Sequence, residues 1–292
     1  MKKINILEEV KRLNECYLEY LKEIKNIVDY EIKFDKTNAN NYMRQFINEN
    51  TTNDVHLLDE ALKQNKEVEF LHIYAKTNIK MMLKDFIENL ETSFYALDKR
   101  RLSSGFTLSR KPIQDTLFYF EQLLIDHISF TRDLLQGKVI SIEEKHKLLI
   151  NKRNDVLSNI KKMNTTSFMN NEKIEQIYKI RFDNNYLGGL NFFWQKGNHL
   201  FTTRGDAYKT VRADMNFVFS MKEDEDVYLE AYYHNLYYML EYSMFILLEL
   251  TTKTFSIVRK NTSEFIEKVR KITKEHNEYL LKFDKANKIG IV

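Results

Sequence analysis

The chain has 292 residues, 43% of them hydrophobic, with 45 Lys and Arg against 42 Asp and Glu for a net charge of +3. That length and apolar content suffice for one large or two smaller packed domains and exclude a disordered tail. The near-neutral balance does not demand a nucleic-acid partner, although local basic clusters can still hold phosphate.

One proline and seven glycines are too few for a turn-rich fold. The chain is therefore expected to be all-α, a multi-helix bundle with long helices and one irregular segment near 183–225. The single cysteine, Cys16, excludes an internal disulfide and fits a reducing compartment. Met1 to Ile6 runs straight into a charged amphipathic helix with no visible signal peptide, so a cytoplasmic location is expected.

In chain order, Ile6, Val10, Leu13, Tyr17, Leu21, Ile24 and Val28 recur at three- and four-residue steps and predict a first helix, ended by the polar run Lys36–Asn41. A short helix carries Tyr42, Phe46 and Ile47, and another starts near Asp54, where Asn53 or Asp54 can cap it. The series Phe70, Leu71, Tyr74, Asn78, Met81, Met82, Phe86, Leu90, Phe94, Leu97 predicts a helix from Glu67 to Arg101, with Asn78 satisfied on its apolar side. Lys99-Arg100-Arg101 would complement the C-terminal dipole of that helix, with phosphate binding as the alternative use.

Leu102–Thr107 is the best break in the chain, dividing an N-terminal helical region, 1–104, from a C-terminal one, 105–292. Leu108 to Gln136 predicts the next helix, with Pro112 in its first turn and Gly137 as its stop. Ser141-Ile142-Glu143-Glu144 is a capping box opening a helix through Met163. Glu172 to Phe182 predicts a short helix before the irregular segment around Gly188-Gly189. Lys222–Asp226 reads as an acidic turn capping a long helix to about Lys260, rich in tyrosine. Glu241 and Glu249 interrupt its apolar middle, and no run of about 18 apolar residues exists, so it is expected to be a buried core helix and not a membrane span. Asn261-Thr262-Ser263-Glu264 caps a last helix to about Lys285, with Phe265, Val269, Ile272, His276 and Leu280 near one side.

Phosphate-binding loops, dinucleotide fingerprints, HExxH, Cys-x-x-Cys and Gly-x-Ser-x-Gly are all missing, so neither a metal ion nor another cofactor is expected. The candidate chemistry gathers between Phe192 and Phe219. Phe192, Phe193 and Trp194 should anchor this stretch to the core. Gly197 and Asn198 would turn the chain sharply before His199. Thr202, Thr203, Arg204 and Asp206 follow within a few residues. An imidazole can move a proton near neutrality and a guanidinium can neutralise a phosphate, which is what metal-free phosphodiester cleavage needs. The structural alternative is a loop whose His and Thr cap helices while Arg204 pairs with Asp206 or Asp214. Arg110 and Asp115, entering an apolar helix, either hold helices in register or face a ligand.

The stretches SRKPIQDTLFYFEQLL, KGNHLFTTRGDAYKT and NFVF resemble uncharacterised all-helical bacterial proteins and, more distantly, the HEPN superfamily. That superfamily includes abortive-infection and toxin–antitoxin ribonucleases, and the resemblance covers roughly Gly105 to Leu250. Its hallmark, an arginine four to six residues before a histidine near a helix start, occurs here only at Arg270–His276, inside the last predicted helix. Six residues turn a helix by about 600°, which sets those side chains some 120° apart and favours a chance match on a solvated helix. His199 and Arg204 stand in the reverse order.

The resemblance implies an antiviral or toxin-type protein cleaving RNA without metal, with His199 as acid/base, Arg204 and Arg110 on phosphate, and Thr202 or Thr203 positioning. Asp115 completes the candidate substrate-binding set. A homodimer sharing one cleft and a phage or antitoxin protein as partner fit the same picture. The alternative expectation is a non-enzymatic helical module that binds a protein or nucleic acid through the tyrosines of Tyr228–Phe255.

Overall fold

The computed structural model describes residues 6–44, 57–138, 171–183, 186, 189–198, 222–255, 267–268, 270–279 and 281. Among these residues the protein is all-α and contains no strand. The helices are α1 (Ile6–Arg44), α2 (Leu57–Lys63), α3 (Glu67–Asp98), α4 (Leu102–Arg110), α5 (Leu117–Leu135), α6 (Asn171–Phe182), α7 (Leu190–Asn198) and α8 (Lys222–Phe255). A π turn, Lys111–Thr116, joins α4 to α5, and helical backbone recurs between residues 267 and 281.

The apolar stripe of α1 is buried as its spacing requires, from Val10 through Val28. Its most extensive partner is α8, and the two are also tied by Asn14, whose Nδ2 donates to the Tyr233 carbonyl at 2.9 Å. The polar run at 36–41 does not end the helix, which continues to Arg44. Without proline or glycine such a run loses only propensity, a few tenths of a kcal/mol per residue. The expected short helix and the cap at Asn53 or Asp54 fall partly or wholly outside the described residues.

On α3, Phe70, Leu71, Phe86, Leu90, Phe94 and Leu97 are buried, but Asn78 is only half-buried and Met81 is 61% exposed. Ala75, Ile79 and Leu83 occupy the inner face in their place. Residues 102–107 are helical and lie directly against α3. A Cβ on Gly105 would sit 2.4 Å from Leu97 Cδ2, so any side chain there would force Leu97 to move. One apolar core draws on α1, α3, α4, α5, α6, α7 and α8, and so on both sides of residue 104.

The helix expected over 108–136 is interrupted twice. Pro112 lies in the π turn, where a lost N–H and a crowded ring are tolerated by the wider turn. At Asp126 the backbone is non-helical (φ −151°, ψ 91°). Its Oδ1 accepts from the amides of Ile128 (3.1 Å) and Ser129 (3.0 Å), restarting the helix. Gly137, with φ 69°, ends α5 as expected.

The expected acidic turn at Lys222–Asp226 is the first turn of α8. That helix is the buried core helix its composition predicts: Leu236, Tyr237, Met239, Leu240, Met244, Phe245, Ile246 and Leu247 are all enclosed. Tyr232, Tyr233, Tyr237 and Tyr242 are buried and Tyr228 and Tyr238 half-buried. Most of the tyrosines expected to meet a partner are therefore internal, with Tyr228 and Tyr238 partly accessible. No helix among the described residues is long and apolar enough to cross a membrane.

Candidate functional site

The stretch beginning at Phe192 enters as a helix, α7, and not as a break in periodicity. Phe193 and Trp194 are buried, and Phe192 packs at the edge of the core, as their size predicts. Trp194 Nε1 donates to Ser109 Oγ at 3.1 Å, and the Tyr232 hydroxyl donates to the same oxygen. Ser109 in turn donates to the Phe106 carbonyl at 2.8 Å. One buried hydroxyl thus joins α4, α7 and α8, and burial raises the Tyr232 phenol so that it stays a donor.

Gly197 and Asn198 are helical, contrary to the expected sharp turn. Gly197 serves close approach: a Cβ there would lie 3.1 Å from the Ser103 carbonyl and 3.3 Å from Thr107 Oγ1. Since Trp194 meets Ser109 and Gly197 meets Ser103 and Thr107, α7 runs antiparallel to α4. The chain consequently leaves α7 beside the corner between α3 and α4, the end carrying Lys99, Arg100 and Arg101. Asn198 Nδ2 is buried near this end with no hydrogen-bond partner among the described residues.

At the corner, Arg100 takes a left-handed backbone (φ 54°) as α3 stops. Its guanidinium holds Glu225 at 3.1 Å and Asp226 at 2.6 Å on the first turn of α8. Arg100 is thus engaged by acids of a neighbouring helix, which raise its pKa further, Asp226 foremost. Lys99 sits over the Tyr95 ring at 5.9 Å, and both Lys99 and Arg101 are exposed.

His199, Thr202, Thr203 and Arg204 lie outside the described residues. Arg110 and Asp115 are half-buried at the far end of α4 and in the π turn. Seven residues separate Arg110 from Ser103, about 10 Å along a helix, so Arg110 does not share the corner. Its Nε donates to Gln114 Oε1 at 2.7 Å, which makes it a brace of the π turn.

Two polar clusters lie deeper, where sequence reasoning singled out no pair. Arg181 on α6, 1% exposed, gives Nη1 to Glu121 Oε1 at 2.8 Å and Nη2 to the Gln114 carbonyl at 3.1 Å. Tyr242 OH donates to the same carboxylate oxygen at 2.8 Å. Burial raises the Glu121 carboxyl despite the guanidinium and phenol that pull it down. At the other end of α6, Lys173 Nζ meets Glu241 Oε2 at 2.5 Å, and Thr273 donates to Glu241 Oε1 at 3.1 Å. Tyr17 and Tyr237 share a hydrogen bond of 3.0 Å alongside.

His276 is fully buried against Tyr237, Tyr238 and Tyr279, and neither ring nitrogen has a hydrogen-bond partner among the described residues. Burial drives its pKa down to about 2, with Lys173 and then His234 adding to the effect. Arg270 is exposed and bonded to Glu267. The Arg270–His276 spacing therefore places one group in solvent and the other in the core, and the two do not converge. The expectation of a solvated helix holds for Arg270 and fails for His276.

Glu121 had a visible signal, a lone carboxylate in the apolar run LFYFEQLLI, and Arg181 another, a cation between Ile180 and Phe182. Among the described residues no group of three His, Cys, Asp or Glu converges to hold a metal ion. The enclosed clusters are built for holding helices, whereas Lys99 and Arg101 at the α3–α4 corner face solvent. No protein-family model, curated protein or solved structure matches the chain.

Proposed function

We propose that the protein acts on RNA at the α3–α4 corner, as a metal-independent ribonuclease of the antiviral-defence or toxin type that the HEPN resemblance implies. His199 supplies the acid/base group, Arg204 neutralises phosphate, and Thr202 or Thr203 positions it. The observation that carries this reading is the antiparallel docking of α7 on α4. It sets Gly197, two residues before His199, against the carbonyl of Ser103, and Ser103 follows closely in the chain on Lys99 and Arg101, two exposed cations. These replace Arg110 as the phosphate contacts, because Arg110 braces the π turn at the opposite end of the helix.

The test is expression of the wild-type chain beside His199→Ala and Lys99→Ala/Arg101→Ala. The proposal expects growth arrest with degraded cellular RNA for the wild type. His199→Ala should abolish both at unchanged melting temperature. The double variant should weaken RNA binding by about tenfold or more and flatten its salt dependence. RNA that stays intact with all three proteins would overturn the catalytic proposal in favour of the non-enzymatic module. Unfolding by His199→Ala would assign that residue to capping.

A further inference from the structure

A second region of the molecule carries chemistry that the RNA proposal does not use. Between the α2–α3 turn and the restarted half of α5 lies an open groove of about 740 Å³, lined among others by Leu62, Val68, Glu69 and Ile128. Two imidazoles face each other in its wall. His72 Nδ1 and His127 Nε2 are 3.0 Å apart, with the rings edge to face at 65°. Both are half-buried and both line the groove. His72 stands within the long helix α3, and His127 follows directly on Asp126, whose side-chain cap fixes where the second half of α5 begins. The pair is thus held by two rigid elements rather than by loops.

Two ring nitrogens at this distance share one proton between two lone pairs. We infer that His72 and His127 form a two-imidazole chelate for a divalent transition metal, which would take the place of that proton and clip α3 to α5.

With metal–nitrogen bonds of about 2.0–2.1 Å, nitrogens 3.0 Å apart subtend roughly 95° at the metal. That is the angle of neighbouring positions in square-planar or octahedral coordination, narrower than a tetrahedral one. The site accordingly favours Cu(II) and Ni(II) over Zn(II), in line with the general order of affinity. No third His, Cys, Asp or Glu completes the set among the described residues. Water entering through the groove fills the remaining positions, with Glu69 on the same wall. The site is independent of the proposed RNA chemistry, which needs no metal.

The test is titration of the purified full chain, stripped with a chelator, by Cu(II), followed by electron paramagnetic resonance. One ion per chain with two coupled nitrogens is expected. His72→Gln and His127→Gln should each lose about tenfold or more in affinity, and Ni(II) should raise the melting temperature of the wild type but not of the double variant. Glutamine keeps hydrogen-bonding capacity at each position, so the helices are retained. Unchanged Cu(II) affinity in the double variant overturns the inference, because the ion then sits elsewhere. If a glutamine variant loses its helical circular dichroism, the wild-type spectrum decides: two coupled nitrogens support the site, and one or none overturns it.

Discussion

The two ends of α6 solve one problem with different cations. Each end sends a positive side chain inward to a carboxylate that is itself buried: Arg181 to Glu121 and Lys173 to Glu241. At the first end the guanidinium is 1% exposed, and its planar fork is divided between a carboxylate and the Gln114 carbonyl. At the second the ammonium retains 16% exposure and meets one carboxylate oxygen. Arginine cannot shed its proton and must be paired where it lies, whereas lysine can deprotonate or let its flexible stem reach water. The same net charge therefore commits one end of the helix to a single geometry and leaves the other an escape.

Removing the carboxylates separates the two ends most sharply. Glu121→Leu strands a charged guanidinium in the core and should cost about 3–5 kcal/mol, seen as a lower urea midpoint at unchanged slope. Glu121→Leu with Arg181→Met should recover most of that loss, because the desolvation penalty disappears with both charges. If the double variant is no better than the single one, then the cluster stabilises through its hydrogen bonds with Tyr242 and Gln114, and the comparison fails.

A smaller loss is expected at the lysine end. Glu241→Leu releases Lys173 toward solvent and removes the acceptor of Thr273, at about 1–2 kcal/mol. Equal costs for Glu121→Leu and Glu241→Leu, measured in the same urea titration, would show that the partial exposure of Lys173 brings no relief.

How much of this was legible follows from the range of each interaction. The stripe from Val10 to Val28, the anchoring by Trp194 and the enclosed α8 are properties of neighbouring residues, and their spacing alone states them. The interruption at Asp126 is local too, yet an aspartate inside an apolar run predicts a cap no better than it predicts a surface charge. Glu121 and Arg181 are 60 residues apart, and nothing in either neighbourhood says which buried charge answers the other. Gly105 and Gly197 looked like chain breaks and proved to be helical contact points, since close packing and turning call for the same residue. At the candidate site, the corner cations were visible in the sequence as a phosphate-binding cluster, but the packing of α7 against α4 through Trp194 and Gly197 was not.

The lysine end differs from the arginine end in one more respect, and it sets the smallest effect. His276 lies in the cluster around Lys173 and Glu241, and its pKa in the folded chain is about 2 against about 6.5 in the unfolded one. Above pH 6.5 the ring is neutral in both states and the difference contributes nothing. Below it the unfolded chain takes up a proton that the folded chain refuses. Stability therefore falls by about 1.4 kcal/mol for each pH unit from 6.5 downward. His276→Phe keeps an aromatic ring among Tyr237, Tyr238 and Tyr279 and cannot be protonated. Urea midpoints for the variant and the wild type should agree closely at pH 8 and separate by about 1.4 kcal/mol at pH 5.5, the variant being the more stable. Carboxylates and other histidines titrate in both proteins and cancel in the difference. Parallel stability curves from pH 8 to 5.5 would mean that His276 is protonated in the folded chain, and that Glu241 serves it as well as Lys173.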